Sequence, residues 1–426
     1  MIRENQRRFA FDWLTILLYI LLVAFGYLNI ISASHDGEVI NYFDISQSYG
    51  KHLIFIAASF VLIIMTLSVE AKFYERFASI IYVIAIIALL GLFIFGKNVN
   101  GARSWYGIGS FTIQPSEFAK FATALAVAKY ITDIQTNLKT VIDQLKVLGI
   151  IILPALLILL QNDAGSTIVY AAFFFVIYRE GLQQIYVLLG FSLLILAVLV
   201  LKFGIIATAL IASIIIFSFY FYKRNKRSSI FQPIIILLVS IAFAYGVKLF
   251  YNHALKPHQQ NRISLWLRLE KDPVKLERMR KAEAYNLIQS EEAISSGGFL
   301  GKGFMQGTRT TGKFVPEQHT DYIFSTVGEE WGFLGTSLTV LLFVILIVRV
   351  LILAERQKSQ FSRVYGYGVA SILFVHFTIN IGMVMGLIPT VGIPLPFISY
   401  GGSGLWGFTI LLFIFIKLDS NRINEW

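Results

Sequence analysis

The stretch His319-Thr320-Asp321 holds the side chains best suited to chemistry in this sequence. Asp321, Ser325 and Glu329 recur at i, i+4 and i+8, a spacing that places them on one face of a helix. A long apolar run follows, so these residues are expected at a boundary between water and membrane. A carboxylate there, beside a basic loop, suits a general base or a cation ligand. The alternative is a helix cap with a buried ion pair.

A second polar cluster joins Arg103 to the stretch from Gln114 to Lys120. Pro115 and Glu117 suit the start of a helix, and Glu117 and Lys120 share a face at i and i+3. Basic groups beside a helix start are suited to holding a phosphate. The alternative is an internal ion pair that positions the helix.

Two further segments are polar or irregular where the chain is otherwise apolar. Asp163 either caps the helix that follows it or takes part in a site. Residues 386–404 contain three prolines and five glycines, so this segment is not a plain span and needs protein or water around it. His376 and Asn380, at i and i+4, either face the resulting cavity or form a packed core pair.

The composition places the chain in a membrane. Of 426 residues, 56% are hydrophobic and 14% charged, and the mean hydropathy is +0.70. A soluble globule this apolar would leave much of its surface uncovered by polar groups. The formal charge of +11 is typical of basic cytoplasmic loops and does not indicate nucleic-acid binding. There is no cysteine, which excludes disulfides and thiolate chemistry, and no Walker loop or His-Glu-x-x-His motif is present.

Apolar runs predict about twelve transmembrane helices in an all-α polytopic membrane protein, with 1–426 as a single integral membrane domain. The runs lie near 13–33, 52–69, 77–96, 116–131, 147–161, 164–179, 184–201, 203–222, 230–250, 332–353, 365–387 and 403–418. Arg3, Arg7, Arg8 and the basic run 223–227 fall on one side of this arrangement, and Asp36, Glu38 and Asp44 on the other. Both termini are therefore expected in the cytoplasm, and 251–320 is expected to be a large, ordered extracytoplasmic loop.

These motifs resemble the SEDS proteins of bacterial cell-wall synthesis over nearly the whole chain. The resemblance rests on 101–103, 114–120, 316–321, 328–330 and 392–403. Within the family, the stretch from Gly298 to Thr308 is similar to the RodA, or elongation, type rather than to the FtsW, or division, type.

The resemblance implies a peptidoglycan glycosyltransferase in the bacterial cytoplasmic membrane, with its active site on the extracytoplasmic face. Its substrate would be lipid II, a disaccharide-pentapeptide on undecaprenyl pyrophosphate, and its partners a class B penicillin-binding protein and membrane lipid. The family's essential aspartate falls on Asp321, as base or as ligand of a divalent cation (Mg or Mn), and no organic cofactor is implied. The family's basic pair falls on Arg103 and Lys120. Glu117, His319, Ser399 and Lys302, from the same motifs, are expected to bind substrate as well.

Two departures from the family pattern stand out. RodA-type proteins commonly have ten spans, and the extra pair expected here lies within 184–250. The family also usually has a basic residue after Gln-Ser in the outer loop, where Gln289-Ser290 is followed by Glu291-Glu292. If that basic residue helps to bind pyrophosphate, Lys302, Arg309 or Lys313 has to replace it.

Two other functions fit the same residues. A flippase for lipid-linked precursors also needs broken helices, a polar cavity and intramembrane charge. A non-catalytic scaffold for the penicillin-binding protein is the third possibility.

Overall fold

The computed structural model describes residues 11–35, 41–99, 101–109, 111–133, 136–223, 229–282 and 284–422. The basic residues predicted to mark the cytoplasmic side at 3–8 and 224–227 lie outside these ranges, as do Asp36 and Glu38. The described chain divides into two compact units, with boundaries near residues 182, 288, 385 and 389. The single domain predicted over 1–426 stays a prediction. The boundary near residue 288 falls within the predicted outer loop 251–320, so the two ends of that loop belong to different units.

The first unit contains most of the helices and all the predicted site residues. Its elements are α1 (Trp13–Ser34), α2 (Ser48–Ser68), α3 (Ala71–Phe95), β1 (Lys97–Val99), β2 (Ala102–Ile108), β3 (Phe111–Ile113), α4 (Pro115–Thr132), α5 (Val141–Leu160), α6 (Ala164–Ile168), a 3-10 turn (Val169–Ala172) and α7 (Phe173–Arg179). It continues after the second unit with α13 (Thr308–Thr311), α14 (Ile323–Glu355), α15 (Gln360–Val384) and α16 (Gly402–Asn421).

The second unit consists mainly of helices from the middle of the chain. They are α8 (Gln184–Lys223), α9 (Phe231–His253), α10 (Pro257–Leu267) and α11 (Pro273–Lys281), and the unit boundary falls within α12 (Tyr285–Ser296). α8 merges the two predicted runs 184–201 and 203–222, and its backbone leaves helical geometry at Gly204. Its 40 residues would extend about 60 Å, twice the thickness of a bilayer core.

Within the described ranges, nine helices are long and apolar enough to cross a membrane. The prediction of a polytopic, mainly helical membrane protein is thereby confirmed, while the count of twelve spans and the cytoplasmic termini stay predictions. The structure adds a small antiparallel sheet, β1-β2-β3, which hydropathy did not predict. The run 164–179 is divided among α6, the 3-10 turn and α7.

Small residues allow α15 to pack closely at the centre of the first unit. Gly366 lies where a side chain would collide with Phe415 and Ala354, and Gly368 lies against Ala124. Such close approach through small residues is typical of helices in membranes, where packing replaces the hydrophobic effect as the driving force.

α14 is broken at Gly332, and a glycine-rich loop satisfies the opened backbone. Gly332 has φ +61° and ψ −156°. Backbone carbonyls of the loop 297–303 accept hydrogen bonds from the amides of Phe333 and Leu334. Backbone amides of the same loop donate to the carbonyls of Glu329 and Glu330. Residues 333–355 would extend about 35 Å, enough for one span. The shorter half, 323–331, is helical and lies largely buried in protein.

We expect Gly332→Ala to destabilise the protein by about 2–4 kcal/mol, because this backbone conformation suits only glycine and a Cβ would overlap the backbone nitrogen of Gly301. Thermal unfolding of the purified protein measures the change. Gly149→Ala is the matched control, since Gly149 lies in α5 with open space where the methyl group would be. Equal unfolding temperatures for the two variants would contradict this account of the break.

Candidate functional site

Three consecutive backbone carbonyls, at residues 319–321, are each held by a donor from a distant part of the chain. Tyr400 N donates to His319 O at 2.8 Å, Ser399 Oγ donates to Thr320 O at 2.7 Å, and Asn380 Nδ2 donates to Asp321 O at 2.8 Å. We call these three hydrogen bonds the carbonyl clamp. The clamp joins the loop before α14 to α15 and to the segment before α16, and so fixes the backbone that carries the Asp321 carboxylate.

Asn380 uses both hydrogens of its amide in this arrangement. The second donates to Ile393 O at 2.7 Å, and the side chain is fully buried. Its orientation is determined by these contacts, because a flipped amide would point oxygen at two carbonyl oxygens. Asn380 therefore fixes Asp321 relative to the glycine- and proline-rich segment that contains Ile393.

Ser399 is used within the protein as both donor and acceptor. Its hydroxyl accepts from Leu395 N at 2.8 Å while donating to Thr320 O, and the residue is 7% exposed. The structure thus gives Ser399 a positioning role, and its predicted contact with substrate stays a prediction.

The Asp321 side chain is half-buried at the start of α14. It lies beside Gly392, where a Cβ would come within 3.2 Å of its Oδ2 atom and where φ is +78°. A side chain at position 392 would therefore crowd the carboxylate. Among the described residues no group of three or more His, Asp or Glu side chains is arranged to hold a metal ion.

Lys120 and Glu117 form a buried ion pair. The Lys120 ammonium lies 2.8 Å from both Glu117 carboxylate oxygens, and the residues are 2% and 4% exposed. The same ammonium lies 2.9 Å from His376 Nε2 and 4.7 Å from the centroid of the Phe408 ring. These contacts match the arrangement of an internal ion pair that positions a helix.

The ion pair also determines the tautomer of His376. An ammonium has only hydrogens to donate, so His376 Nε2 accepts and the ring proton sits on Nδ1. His376 Nδ1 lies 3.2 Å from Pro394 O, to which it donates. Through His376, the ion pair thus holds the carbonyl of Pro394. Asn380 holds the carbonyl of the preceding residue, Ile393, so both contacts fix the same segment.

Arg103 differs from Lys120 in its access to solvent. It lies on β2 with an exposed side chain, and its main-chain nitrogen donates to Gln161 O at 3.1 Å. The predicted basic pair therefore consists of one exposed cation and one cation enclosed by protein.

Glu329 organises the loop that carries Lys302. Its carboxylate is fully buried and accepts from Lys302 Nζ at 2.7 Å, from Arg309 N at 3.0 Å and from Thr310 N at 2.8 Å. Lys302 also donates to Thr308 Oγ1 at 2.8 Å and is 26% exposed. Two of its three donor hydrogens are thereby used, which leaves one for a ligand.

Arg309 lies against the acidic stretch that departs from the family pattern. Its guanidinium lies 2.6 Å from the Glu292 carboxylate, donates to the Gln289 side chain and is 30% exposed. The Arg309 guanidinium thus lies close to the position after Gln289-Ser290, where the family usually has a basic residue.

Tyr400 connects His319 to a histidine that the sequence analysis did not single out. Its ring centroid lies 5.3 Å from that of His319 and 5.7 Å from that of His52 in α2. His52 is fully buried, and neither of its ring nitrogens has a partner among the described residues. Burial lowers the pKa of the His319 imidazole, and the nearby Glu317 carboxylate opposes this shift. The only feature of the sequence that could have pointed to His52 is its position in an apolar run.

Asp163 caps a helix. Its carboxylate accepts from Ser166 N at 3.0 Å at the start of α6, which confirms the capping alternative, and Gln114 donates to it at 2.9 Å.

Comparisons with known proteins decide the family. A model of the FtsW, RodA and SpoVE proteins, described as cell cycle proteins, matches residues 12–210 and 179–424. The chain belongs to this family. It is 32% identical to the peptidoglycan glycosyltransferase RodA of Treponema pallidum (strain Nichols), over 97% of this chain and 98% of that protein. It is also 32% identical to the peptidoglycan glycosyltransferase MrdB of Escherichia coli (strain K12), over 91% of this chain and 88% of that protein.

A solved structure shares the fold. Its subject is the structural coordination of polymerization and crosslinking by a peptidoglycan synthase complex, and it superposes with a TM-score of 0.68 at 22% identity, covering 98% of this chain and 99% of that one. It shows that the fold is shared, while the family model and the two relatives confirm the resemblance to SEDS proteins of the RodA type.

We expect Asn380→Ala and Ser399→Ala each to cost about 1–3 kcal/mol of stability, because each leaves buried carbonyl or amide groups without partners. Ser192→Ala is the control, since that exposed hydroxyl bonds only to Leu188 O of its own helix, and it should change stability by less than about 0.5 kcal/mol. Thermal unfolding and limited proteolysis of the 319–321 loop measure the effect. Clamp variants as stable as the control would show that the clamp does not hold this loop.

Proposed function

We propose that this protein is a peptidoglycan glycosyltransferase that polymerises lipid II into glycan strands during cell elongation. Two relatives of the same family, similar over nearly their whole length, carry that activity in their names. The observation that carries the proposal is the clamp, which fixes the backbone that carries the half-buried Asp321 carboxylate just before a broken helix. A fixed carboxylate beside a glycine-rich segment suits a reaction that needs one positioned acid or base.

In the proposed reaction a sugar hydroxyl attacks the anomeric carbon of a second lipid-linked sugar. The new glycosidic bond forms as the bond from that carbon to the pyrophosphate oxygen breaks, and the lipid pyrophosphate leaves with the electron pair. Asp321 accepts the hydroxyl proton or holds a cation beside the reacting groups. A single inverting displacement needs no covalent enzyme intermediate, so one carboxylate suffices, unlike the paired carboxylates of glycosidases.

Exposed cations are proposed to hold the pyrophosphate. Arg103 is exposed, while Arg309 and Lys302 are partly exposed, and Lys302 retains a donor hydrogen. Arg309 is the replacement that we propose for the family's basic residue at Glu291. For Lys120 and Glu117 the burial and the contact with His376 support positioning of the 392–394 segment rather than direct contact with phosphate.

Asp321 is also the residue proposed to hold a divalent cation, Mg or Mn. Such ions are commonly bound through one or two carboxylates together with substrate phosphates and water. One half-buried carboxylate fits this pattern, and Asp321 would hold the ion together with the substrate's pyrophosphate. The cation would offset the charge of the leaving group.

We further propose that the site faces the extracytoplasmic side of the bacterial cytoplasmic membrane. The polyprenyl tails would lie against the lipid-facing helices of the first unit. A class B penicillin-binding protein is the proposed partner, in line with the synthase complex of the structural relative.

We expect Asp321→Ala to abolish glycan polymerisation from lipid II by the purified protein with its partner's transpeptidase blocked. Glu317→Gln is the matched control, because it removes an exposed carboxylate from the same loop while its backbone carbonyl still accepts from Thr320 and Tyr322. Gel analysis of labelled glycan gives the measurement, with unfolding temperatures as the check on folding. Polymerisation by folded Asp321→Ala would exclude the role of Asp321, and lipid II translocation without polymerisation by the wild type would favour a flippase.

We expect Arg309→Gln to raise the lipid II concentration for half-maximal rate roughly tenfold or more, because a charge-assisted hydrogen bond to phosphate is lost. Folding and kcat should change little. Arg179→Gln is the control, since that guanidinium pairs with Glu355, outside the proposed site. Initial rates measured across a range of lipid II concentrations give KM and kcat separately. Identical KM values for both variants would contradict a phosphate contact by Arg309.

A further inference from the structure

The short helices α10 and α11 of the second unit carry a concentrated positive charge. Between Lys256 and Lys281 the sequence has eight lysines and arginines against three acidic residues, a net charge of +5. The side chains of Arg268, Lys271, Arg278 and Arg280 are exposed. None of these cations is among the residues proposed to hold pyrophosphate.

α10 is attached directly to the end of α9, a helix long and apolar enough to cross a membrane. The side-chain amide of Gln260 donates to Tyr251 O at 2.9 Å and to Leu255 O at 3.0 Å, and Tyr251 Oη donates to Gln260 O at 3.2 Å. These bonds satisfy carbonyls that the end of α9 would otherwise leave open. They hold α10 against the end of α9.

Both short helices are fixed by further contacts of their own. The Asp272 carboxylate accepts from Val274 N at 3.0 Å and caps α11, and Lys275 pairs with Glu270 at 2.6 Å. Trp266 of α10 donates its indole N–H to Leu387 O at 3.1 Å. Tryptophan and tyrosine are enriched where protein meets the membrane–water interface, and Tyr251 near the end of α9 and Trp266 in α10 are residues of these types.

The acidic residues neutralise only part of this charge. Lys275 pairs with Glu270, and Lys281 pairs with Glu277 at 2.7 Å. In the part of the chain that the structure describes, Arg268, Lys271, Arg278 and Arg280 make no ion pair. The surface therefore presents exposed cations that form no ion pair with the acidic residues that the structure describes.

We propose that the surface formed by α10 and α11 binds the anionic headgroups of membrane phospholipids. Phosphate groups at the bilayer surface complement its charge, and each Lys or Arg near such a surface strengthens binding by about fivefold. The interaction keeps the two helices on the headgroup layer beside α9. It is independent of the proposed glycosyltransferase activity.

The test uses the full-length protein in bilayer nanodiscs of phosphatidylcholine with increasing phosphatidylglycerol. The chain has no cysteine, and Val274 in α11 is 61% exposed, so Val274→Cys provides a single site for an environment-sensitive fluorophore. We expect a blue shift of emission that grows with phosphatidylglycerol and is reversed by high salt, since salt screens exposed charges.

Two double variants in the same background separate charge from structure. Arg278→Gln with Arg280→Gln removes two cations that form no ion pair with any described residue and should raise the phosphatidylglycerol fraction for half-maximal shift at least about fivefold. Glu277→Gln with Lys281→Gln removes one ion pair at constant net charge and should leave the response unchanged.

Three results would overturn the proposal. The first is equal emission in both lipids, and the second is an equal response of the two double variants. The third is a shift that appears only when undecaprenyl pyrophosphate is added, which would make the surface a substrate site instead of a headgroup site.

Discussion

Buried backbone polar groups must find partners within the protein, and the carbonyl clamp meets this requirement around Asp321. The loop before α14 has no regular structure to satisfy its carbonyls. Tyr400, Ser399 and Asn380 supply the donors from two distant segments. The same bonds that satisfy the loop therefore also position the carboxylate, so the stability of this region and the geometry of the proposed site depend on one set of contacts.

Polar residues around the clamp hold the neighbouring irregular backbone in the same way. The buried ion pair of Glu117 and Lys120 sets the tautomer of His376, which holds Pro394 O, while Asn380 holds Ile393 O. On the other side, the break in α14 is filled by the loop 297–303, and buried Glu329 fixes the loop around Lys302. Charges that are expensive in a membrane thus serve to hold irregular backbone in place.

Local patterns in the sequence predicted the helices and the polar clusters, because hydropathy and i, i+3 spacing are properties of neighbouring residues. The helical membrane fold was predicted in this way, as were the cap at Asp163 and the shared face of Glu117 and Lys120. The sheet 97–113 was missed, since its strands are short and not strongly apolar. The enclosure of Lys120 by His376 and the pairing of Arg309 with Glu292 were missed because they join residues far apart along the chain, where periodicity carries no information.

A structure of the protein with bound undecaprenyl pyrophosphate and Mn²⁺ tests the central claim most directly. We expect the pyrophosphate and the metal ion beside the Asp321 carboxylate, with the carbonyls of residues 319–321 still held by Tyr400, Ser399 and Asn380. A pyrophosphate bound elsewhere, or a loop released from these three donors in the bound state, would contradict the claim that the clamp positions the reacting carboxylate.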